Sequence, residues 1–305
     1  MDDTDRHLIA QLRRDARTSV AAMAARLKVS RGTVTNRIKR LEDDGVIVGY
    51  TVRVRPEALQ SVIKAWMSIA VEGNQTRVVI ASLPAHFADS QRVADEISRP
   101  GRRALALQGD IGVKADIERI FEETQATVGP LSALVNCAGV YRQARVEKLD
   151  YDELASMIAV NVTGVMYCCS EAARRMSTLN GGAGGAIVNV TSLAVTIGGR
   201  PGASAYAGSK AAIDNFTTGF AREVAAEGIR VNTVRPGVTA TGMTTNLAQD
   251  PDLRRRVEAS MPLGRIGQPE EVAELIVWLL SDQASLVTGA HVNAGGGGFL
   301  VAGIA

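Results

Sequence analysis

The sequence predicts an α/β protein: a parallel sheet wound with helices on both faces, incomplete at its N-terminal side, behind a smaller all-helical domain. Beyond residue 92, helical patterns alternate with strand-length apolar runs, helical at 92–98 and 114–127, extended at 103–108, 131–135, 186–190 and 229–234. Charge divides the chain in a similar place, since residues 1–60 hold 12 Lys/Arg against 8 Asp/Glu and the remainder holds 22 against 24. A basic N-terminal block ahead of a near-neutral body points to a segment that faces a polyanion, attached to a globular unit.

A chain of 305 residues with 46% hydrophobic and 22% charged residues is long and apolar enough to bury a core. Its cysteines, Cys137, Cys168 and Cys169, are odd in number and lack metal-ligand spacing. Free, buried thiols in a reducing compartment are expected, with no metal site. The N-terminus opens on Asp2, Asp3 and Asp5 without an apolar leader, and no run of 18 apolar residues occurs. The expectation is a cytoplasmic protein without a membrane partner.

In chain order, Leu8, Ile9 and Leu12 share one helical face, and Val20, Met23, Ala24 and Leu27 repeat the spacing after a break at 16–19. Ser30 caps a third helix whose Val34, Ile38 and Leu41 face inward. The turn Lys28-Val29-Ser30 is as short as a helix-turn-helix requires. The outward face of the third helix offers Arg31, Thr33, Thr35, Asn36, Arg37 and Arg40, which can contact phosphates and base edges from a major groove.

This order of helices, followed by Leu41-Glu-Asp-Asp-Gly-Val-Ile-Val-Gly-Tyr50, resembles the winged DNA-binding module of leucine-responsive (Lrp/AsnC-type) regulators, from Asp2 to about Leu83. The resemblance implies duplex DNA as a partner of residues 1–60, contacted by Arg31, Thr33, Asn36, Arg37 and Arg40. It further implies that 65–72 is the first strand of that family's sensing domain and 74–83 its first helix.

Further on, the apolar run 186–190 leads to Ser192, and a Gly/Pro loop then enters an alanine-rich helix carrying Tyr206 and Lys210. Spacing i,i+4 stacks the last two on one face. A tyrosine titrates near 10 in water, so proton transfer near pH 7 needs its phenolate stabilised by about 3 units, roughly 4 kcal/mol. An ammonium one turn away is a plausible source. Asn161 stands in Asn-Val-Thr-Gly, Asn136-Cys-Ala-Gly139 follows the strand at 131–135, and Arg235-Pro-Gly237 follows the strand at 229–234.

With these motifs in this order, the chain resembles the short-chain dehydrogenase/reductase family over about 92–297. The resemblance implies a Rossmann-like doubly wound parallel sheet and a catalytic set of Asn161, Ser192, Tyr206 and Lys210. Tyr206 would exchange a proton with the reacting oxygen of an alcohol/ketone pair, and Lys210 would lower the tyrosine pKa and hold the nicotinamide ribose. Ser192 would orient the substrate, and Asn161 would hold a water leading from Lys210 to solvent. NAD or NADP is the implied cofactor, contacted by Asp110, Asn136, Ala138, Gly139, Tyr206, Lys210, Pro236, Gly237, Thr239 and Thr241. Asp110 alternatively caps the following helix. In the family, long helices such as those at 150–179 and 206–227 pack across a subunit interface, so a homo-oligomer is implied.

Some motifs need only structure. Gly181-Gly-Ala-Gly-Gly185 precedes a strand instead of following one and reads as a surface connection, and the glycines at 295–298 read as a tail turn. Gln268-Pro-Glu-Glu-Val-Ala273 opens a helix with proline in the first turn and acids at the positive end of the dipole.

One part is missing. The reductase family reads Gly-x-x-x-Gly-x-Gly between its first strand and helix, where backbone N–H groups meet the pyrophosphate, and no such sequence stands upstream of Arg92. Residues 66–71, 72–75 and 76–83 read as a substitute strand, turn and helix; in that slot the strand runs parallel to those at 103 and 131 and sets Glu72 against the phosphates. Alternatively, 77–82 is the family's second strand, ending at Ser82 where an acid would favour NAD, and the first slot is unfilled. Under either reading NAD or NADP binds weakly or not at all. The organisation expected is a helix-turn-helix domain at 1–60, a junction at 61–91 and a reductase-like domain at 92–305. The function expected is that of an NAD(P)-dependent alcohol/ketone oxidoreductase-like chain fused to a DNA-binding segment. A DNA-binding regulator using the reductase-like part for oligomerisation or ligand sensing, and an inactive chimera, are the alternatives.

Overall fold

A computed structural model describes residues 2–14, 18–47, 67–71, 77–98, 103–244, 247 and 249–298. The chain divides into two compact units, residues 1–60 and 61–305.

In the first unit, helices α1 (Asp3–Arg14), α2 (Val20–Leu27) and α3 (Arg31–Asp43) bury Leu8, Met23, Ala24 and Val34 in a common core. Ser19 and Ser30 cap α2 and α3 by accepting from the backbone N–H of Ala22 and Thr33, each cap contributing about 1 kcal/mol. Lys28 ends α2 in the left-handed region at φ 53°, and its N–H returns to the carbonyls of Ala24 and Ala25. The wing segment after residue 47 lies outside the described residues.

The second unit is built on strands β1 (Met67–Val71), β2 (Arg77–Ser82), β3 (Arg103–Gln108), β4 (Leu131–Asn136), β5 (Gly185–Val190), β6 (Ile229–Pro236) and β7 (His291–Ala294), in the order β3-β2-β1-β4-β5-β6-β7. Neighbours pair in parallel except at β1, which is antiparallel to both β2 and β4. The empty first slot is thus filled by the expected segment, but the expected parallel direction is wrong. The reason lies next door. Residues 77–82, one of the two readings of that stretch, form β2 in parallel register with β3, so the regulator-like helix expected at 74–83 is not there. Only the five residues 72–76 then separate β1 from β2. A parallel connection needs a crossover of a dozen or more residues, whereas an antiparallel pair is joined by a few.

Helices α5 (Lys114–Val128), α7 (Val165–Met176) and α8 (Ser204–Val224) cover one face, packing Ile117, Phe121, Cys168, Ala172, Met176 and Ile213 onto Val79, Leu134, Ile187 and Val231. On the other face α4 (Phe87–Ile97) seats Ala94 on Ile80 and Ala106, and α10 (Pro269–Leu280) seats Leu279 on Val188 and Val234. Each such large side chain contributes roughly 1.5–3 kcal/mol by leaving water. Short helices α6 (Tyr151–Ile158) and α9 (Pro251–Ala259) complete the body. The stretch Tyr151–Met176 is, by length and composition, apolar enough to cross a membrane, although it holds no unbroken run of 18 apolar residues. Its Cys168, Cys169, Ala172 and Met176 are core residues against the sheet. Burial pushes the Cys169 thiol up to about 12. Cys137 is exposed, contrary to the expectation of three buried thiols.

Candidate functional site

The carboxyl ends of β4, β5 and β6 converge with the first turns of α8. Ser192, just beyond β5, caps a short turn by accepting from the Ala194 N–H at 3.1 Å. Its hydroxyl acts on the Tyr206 phenol, favouring the charged form, and the Tyr141 ring stands edge-on to that of Tyr206 with centroids 5.0 Å apart. One turn on, buried Lys210 donates from Nζ to the Val190 carbonyl at 3.0 Å. Asn161 sits in a π-helical turn, Ala159–Gly164, that joins α6 to α7. Such turns interrupt the helical ladder and often mark functional positions. Its Oδ1 accepts from the Val140 N–H at 2.8 Å, while Nδ2 donates to the Val140 carbonyl at 2.8 Å and to Ser209 Oγ at 3.1 Å. Ser209 in turn donates to the Tyr206 carbonyl at 2.7 Å. Gly139 fits because a β-carbon there would lie 3.1 Å from Lys210 Nζ and 3.5 Å from Asn161 Oδ1. Asn161, Ser192, Tyr206 and Lys210 therefore meet around one spot.

The electrostatics correct one expectation. Burial raises the Tyr206 pKa above its ordinary value, and the Ser192 hydroxyl only partly opposes it. The lysine was expected to lower it. Instead Lys210 is itself pulled down to about 8 by burial, its ammonium turned to a backbone carbonyl. The resting tyrosine is a neutral phenol, suited to donating a proton to a developing oxyanion.

On α3, Arg31, Thr35, Asn36 and Lys39 are exposed. Arg37 and Arg40 are engaged within the unit: Arg37 Nη1 lies 2.6 Å from Asp2 and 2.8 Å from Asp5, and Arg40 Nη2 lies 2.7 Å from Asp5. The Arg37 guanidinium holds the Asp2 carboxyl down to about 2. Thr33 closes the cap with Ser30 through a 2.8 Å hydroxyl contact. Of the five residues expected on DNA, Arg31 and Asn36 point outward without such ties, and Lys39, on the same exposed face, was overlooked.

The chain matches the family described as enoyl-(acyl carrier protein) reductase over residues 66–298, and the winged helix-turn-helix DNA-binding family over residues 1–48. The uncharacterized oxidoreductase YgfF of Escherichia coli (strain K12) is 46% identical over 209 residues, 68% of this chain and 84% of that protein. The (3R)-3-hydroxyacyl-CoA dehydrogenase of Mus musculus is 34% identical over 206 residues, 67% of this chain and 78% of that one. A solved short chain dehydrogenase/reductase family protein superposes with a TM-score of 0.61 at 35% identity, covering 72% of this chain and 85% of its own. The chain belongs to the short-chain dehydrogenase/reductase family. Its family match begins at residue 66, so β1 and β2 lie within it, upstream of the boundary at 92 that the motifs marked.

For a short-chain dehydrogenase/reductase, the residues implied for NAD(P) are unevenly served. Gly139 packs close to Lys210 Nζ, and Ala138 lies in the same loop after β4. Pro236 ends β6, and a β-carbon on Gly237 would come within 2.7 Å of Gly295 Cα, so the glycine lets two loops touch. Thr239 donates to the Gly237 carbonyl at 3.2 Å, and the Thr241 N–H donates to Thr244 at 3.0 Å. Asn136 turns inward, its Nδ2 donating to buried Asn189 at 2.9 Å, while its buried Oδ1 has no hydrogen-bond partner. Asp110 accepts from the Gly112 N–H at 2.7 Å, holding the turn before α5 without capping that helix. Ser82 is buried and accepts from Ser90 at 2.6 Å. On the pyrophosphate side the fit fails. Reversal puts Met67 beside Asn136 and Ala81 at the carboxyl ends of β4 and β2, and Val71 at the far edge. A helix following a parallel strand would present its N-terminus to the phosphates, and no described element follows β1 on that edge.

Proposed function

We propose that the body is an alcohol/ketone oxidoreductase unit that keeps its proton-handling groups and binds NAD or NADP weakly. Tyr206 protonates the reacting oxygen, Ser192 orients it, and Lys210 beneath them supplies positive charge. The observation that supports this most is the meeting of Ser192, Tyr206 and Lys210 at the carboxyl edge beside a reversed β1. Loss of several charge-assisted hydrogen bonds to phosphate weakens the dinucleotide by about 3 kcal/mol or more, over 100-fold. Calorimetric titration of the full chain with NADH and NADPH is expected to give dissociation constants far above the low-micromolar range. A low-micromolar value for either overturns the reading.

The winged helix-turn-helix match favours a second reading, a cytoplasmic DNA-binding regulator whose reductase-type body serves as ligand sensor and homo-oligomer. The groove between α7 and α8 sets Met166, Phe216 and Phe220 beside Arg174, Glu223 and Glu227, a mixed surface compatible with such an assembly. With about 4–6 phosphate contacts, log K for duplex DNA falls against log salt with a slope of about −4 to −5. A flat salt response removes this second reading.

A further inference from the structure

One buried carboxylate beside the site remains without a role. Asp214 lies on α8 four residues after Lys210, so the two stand on one helical face. It is 6% exposed. Its Oδ1 accepts from the Thr191 hydroxyl at 2.8 Å, and Thr191 immediately precedes Ser192. Its Oδ2 accepts from Nε and Nη2 of Arg235, both at 2.7 Å, and Arg235 immediately precedes Pro236-Gly237. His291, on β7, completes the surroundings. Its Nδ1 is 3.7 Å from Asp214 Oδ1 and 2.8 Å from the Thr233 hydroxyl, and its Nε2 is 2.9 Å from the Thr218 hydroxyl. Burial lowers the His291 pKa, so near neutrality the ring is uncharged.

We propose that Asp214 is the positioning residue for Lys210: its carboxylate ties α8 to the ends of β5 and β6 and sets the electrostatic field in which the lysine works. The geometry leaves it little else to do. Its oxygens are taken by two elements that carry the site, and it reaches no exposed surface where a solvent pair would serve as well. A buried ion pair is a weak source of stability, because desolvation offsets most of the attraction. Holding three segments in register is a use that this cost does not cancel. The groups acting on the pair are Arg235 from β6, His291 from β7, neutral Thr191 from beyond β5 and Cys137 from the loop after β4. Asp214 and Cys137 both act to raise the Lys210 pKa against the larger lowering by burial.

This inference rests on the reading of Lys210 given above, but its test needs neither cofactor nor turnover. The chain has six lysines, so labelling with lysine carrying 13C at Cε gives a countable set of resonances, and Lys210→Met identifies one of them. In Asp214→Asn the Lys210 titration midpoint is expected to fall by about 1 pH unit, the scale of a carboxylate one helical turn away. Thr191→Val, which cuts one tether and keeps the charge, is expected to leave the midpoint in place. Asp214→Asn strands the Arg235 guanidinium, so the double variant Asp214→Asn/Arg235→Gln, without buried charge at the pair, provides a second test, in which a smaller downward shift is expected because the cation is lost with the carboxylate. An unmoved midpoint in whichever variant folds overturns the proposal. An equal fall in Thr191→Val also overturns it, since packing and not charge would then be the cause.

Discussion

Helices α3 and α8 both carry a row of active side chains whose spacing is plain in the sequence, and they use those rows in different ways. On α8, Tyr206, Lys210 and Asp214 follow one another by four and meet Ser192, Val190 and Thr191 at and just beyond the end of β5. On α3, Arg37 and Arg40 turn toward Asp2 and Asp5 of the same unit, leaving Arg31, Asn36 and Lys39 outward. Spacing says which residues share a face. It does not say what that face meets. The Asp5 partner of the α3 arginines stands 32 and 35 residues away in the chain, and Val190 and Thr191 stand 20 and 23 from Lys210 and Asp214, so on both helices the fold decides what the face meets.

The largest effect separating the two helices is expected on α8. Tyr206→Phe removes the proton donor and lowers any ketone turnover by about 10²–10⁴-fold, with the far-UV circular dichroism unchanged. Retained turnover in the purified variant breaks the assignment of α8 as the chemical helix.

Lys210→Met is expected to act in the opposite sense on stability. The folded pKa of about 8 lies below the ordinary 10.5, so between these values the unfolded chain holds a proton that the folded chain has released. Stability from this residue therefore rises with pH across that window, and below pH 8 the full desolvation cost is present. Replacing the ammonium should raise stability at pH 7 by about 1–3 kcal/mol and flatten the alkaline rise, as read by thermal melts from pH 7 to 10.5. A destabilised variant with the same pH slope would assign the lysine a purely structural part.

For α3 the comparison sharpens through paired variants. Arg31→Ala with Lys39→Ala should reduce the magnitude of the DNA salt slope by about 2 while leaving the melting temperature of the unit in place. Arg37→Ala with Arg40→Ala should lower the melting temperature, because Asp5 is left buried without its partners. The reverse pattern would put the DNA face where the internal ion pairs now lie.

The smallest effect concerns the turn that aims α3. Lys28 occupies the left-handed region at φ 53°, so Lys28→Gly should stabilise the helix-turn-helix unit by about 1 kcal/mol in thermal melts. A loss of stability would show that the lysine side chain contributes more than its backbone strain costs.

Local pattern alone determined a good deal of this protein. The helical spacing before residue 47, the apolar strands from 103 onward and the Ser192, Tyr206 and Lys210 positions could all be read because each depends on near neighbours. Ser209 and Asp214 could have been read too, as polar residues within about one turn of Lys210 on the same helix. The direction of β1 could not be read from its own residues. It follows from β2 taking 77–82, which leaves too few residues for a crossover, and from two long-range pairings that close only in the folded sheet. The tyrosine pKa was likewise out of reach, since i,i+4 spacing places a lysine near a phenol but burial by other elements decides how each one titrates. Tertiary structure settled these points because strand order and desolvation arise from contacts between residues distant in the chain.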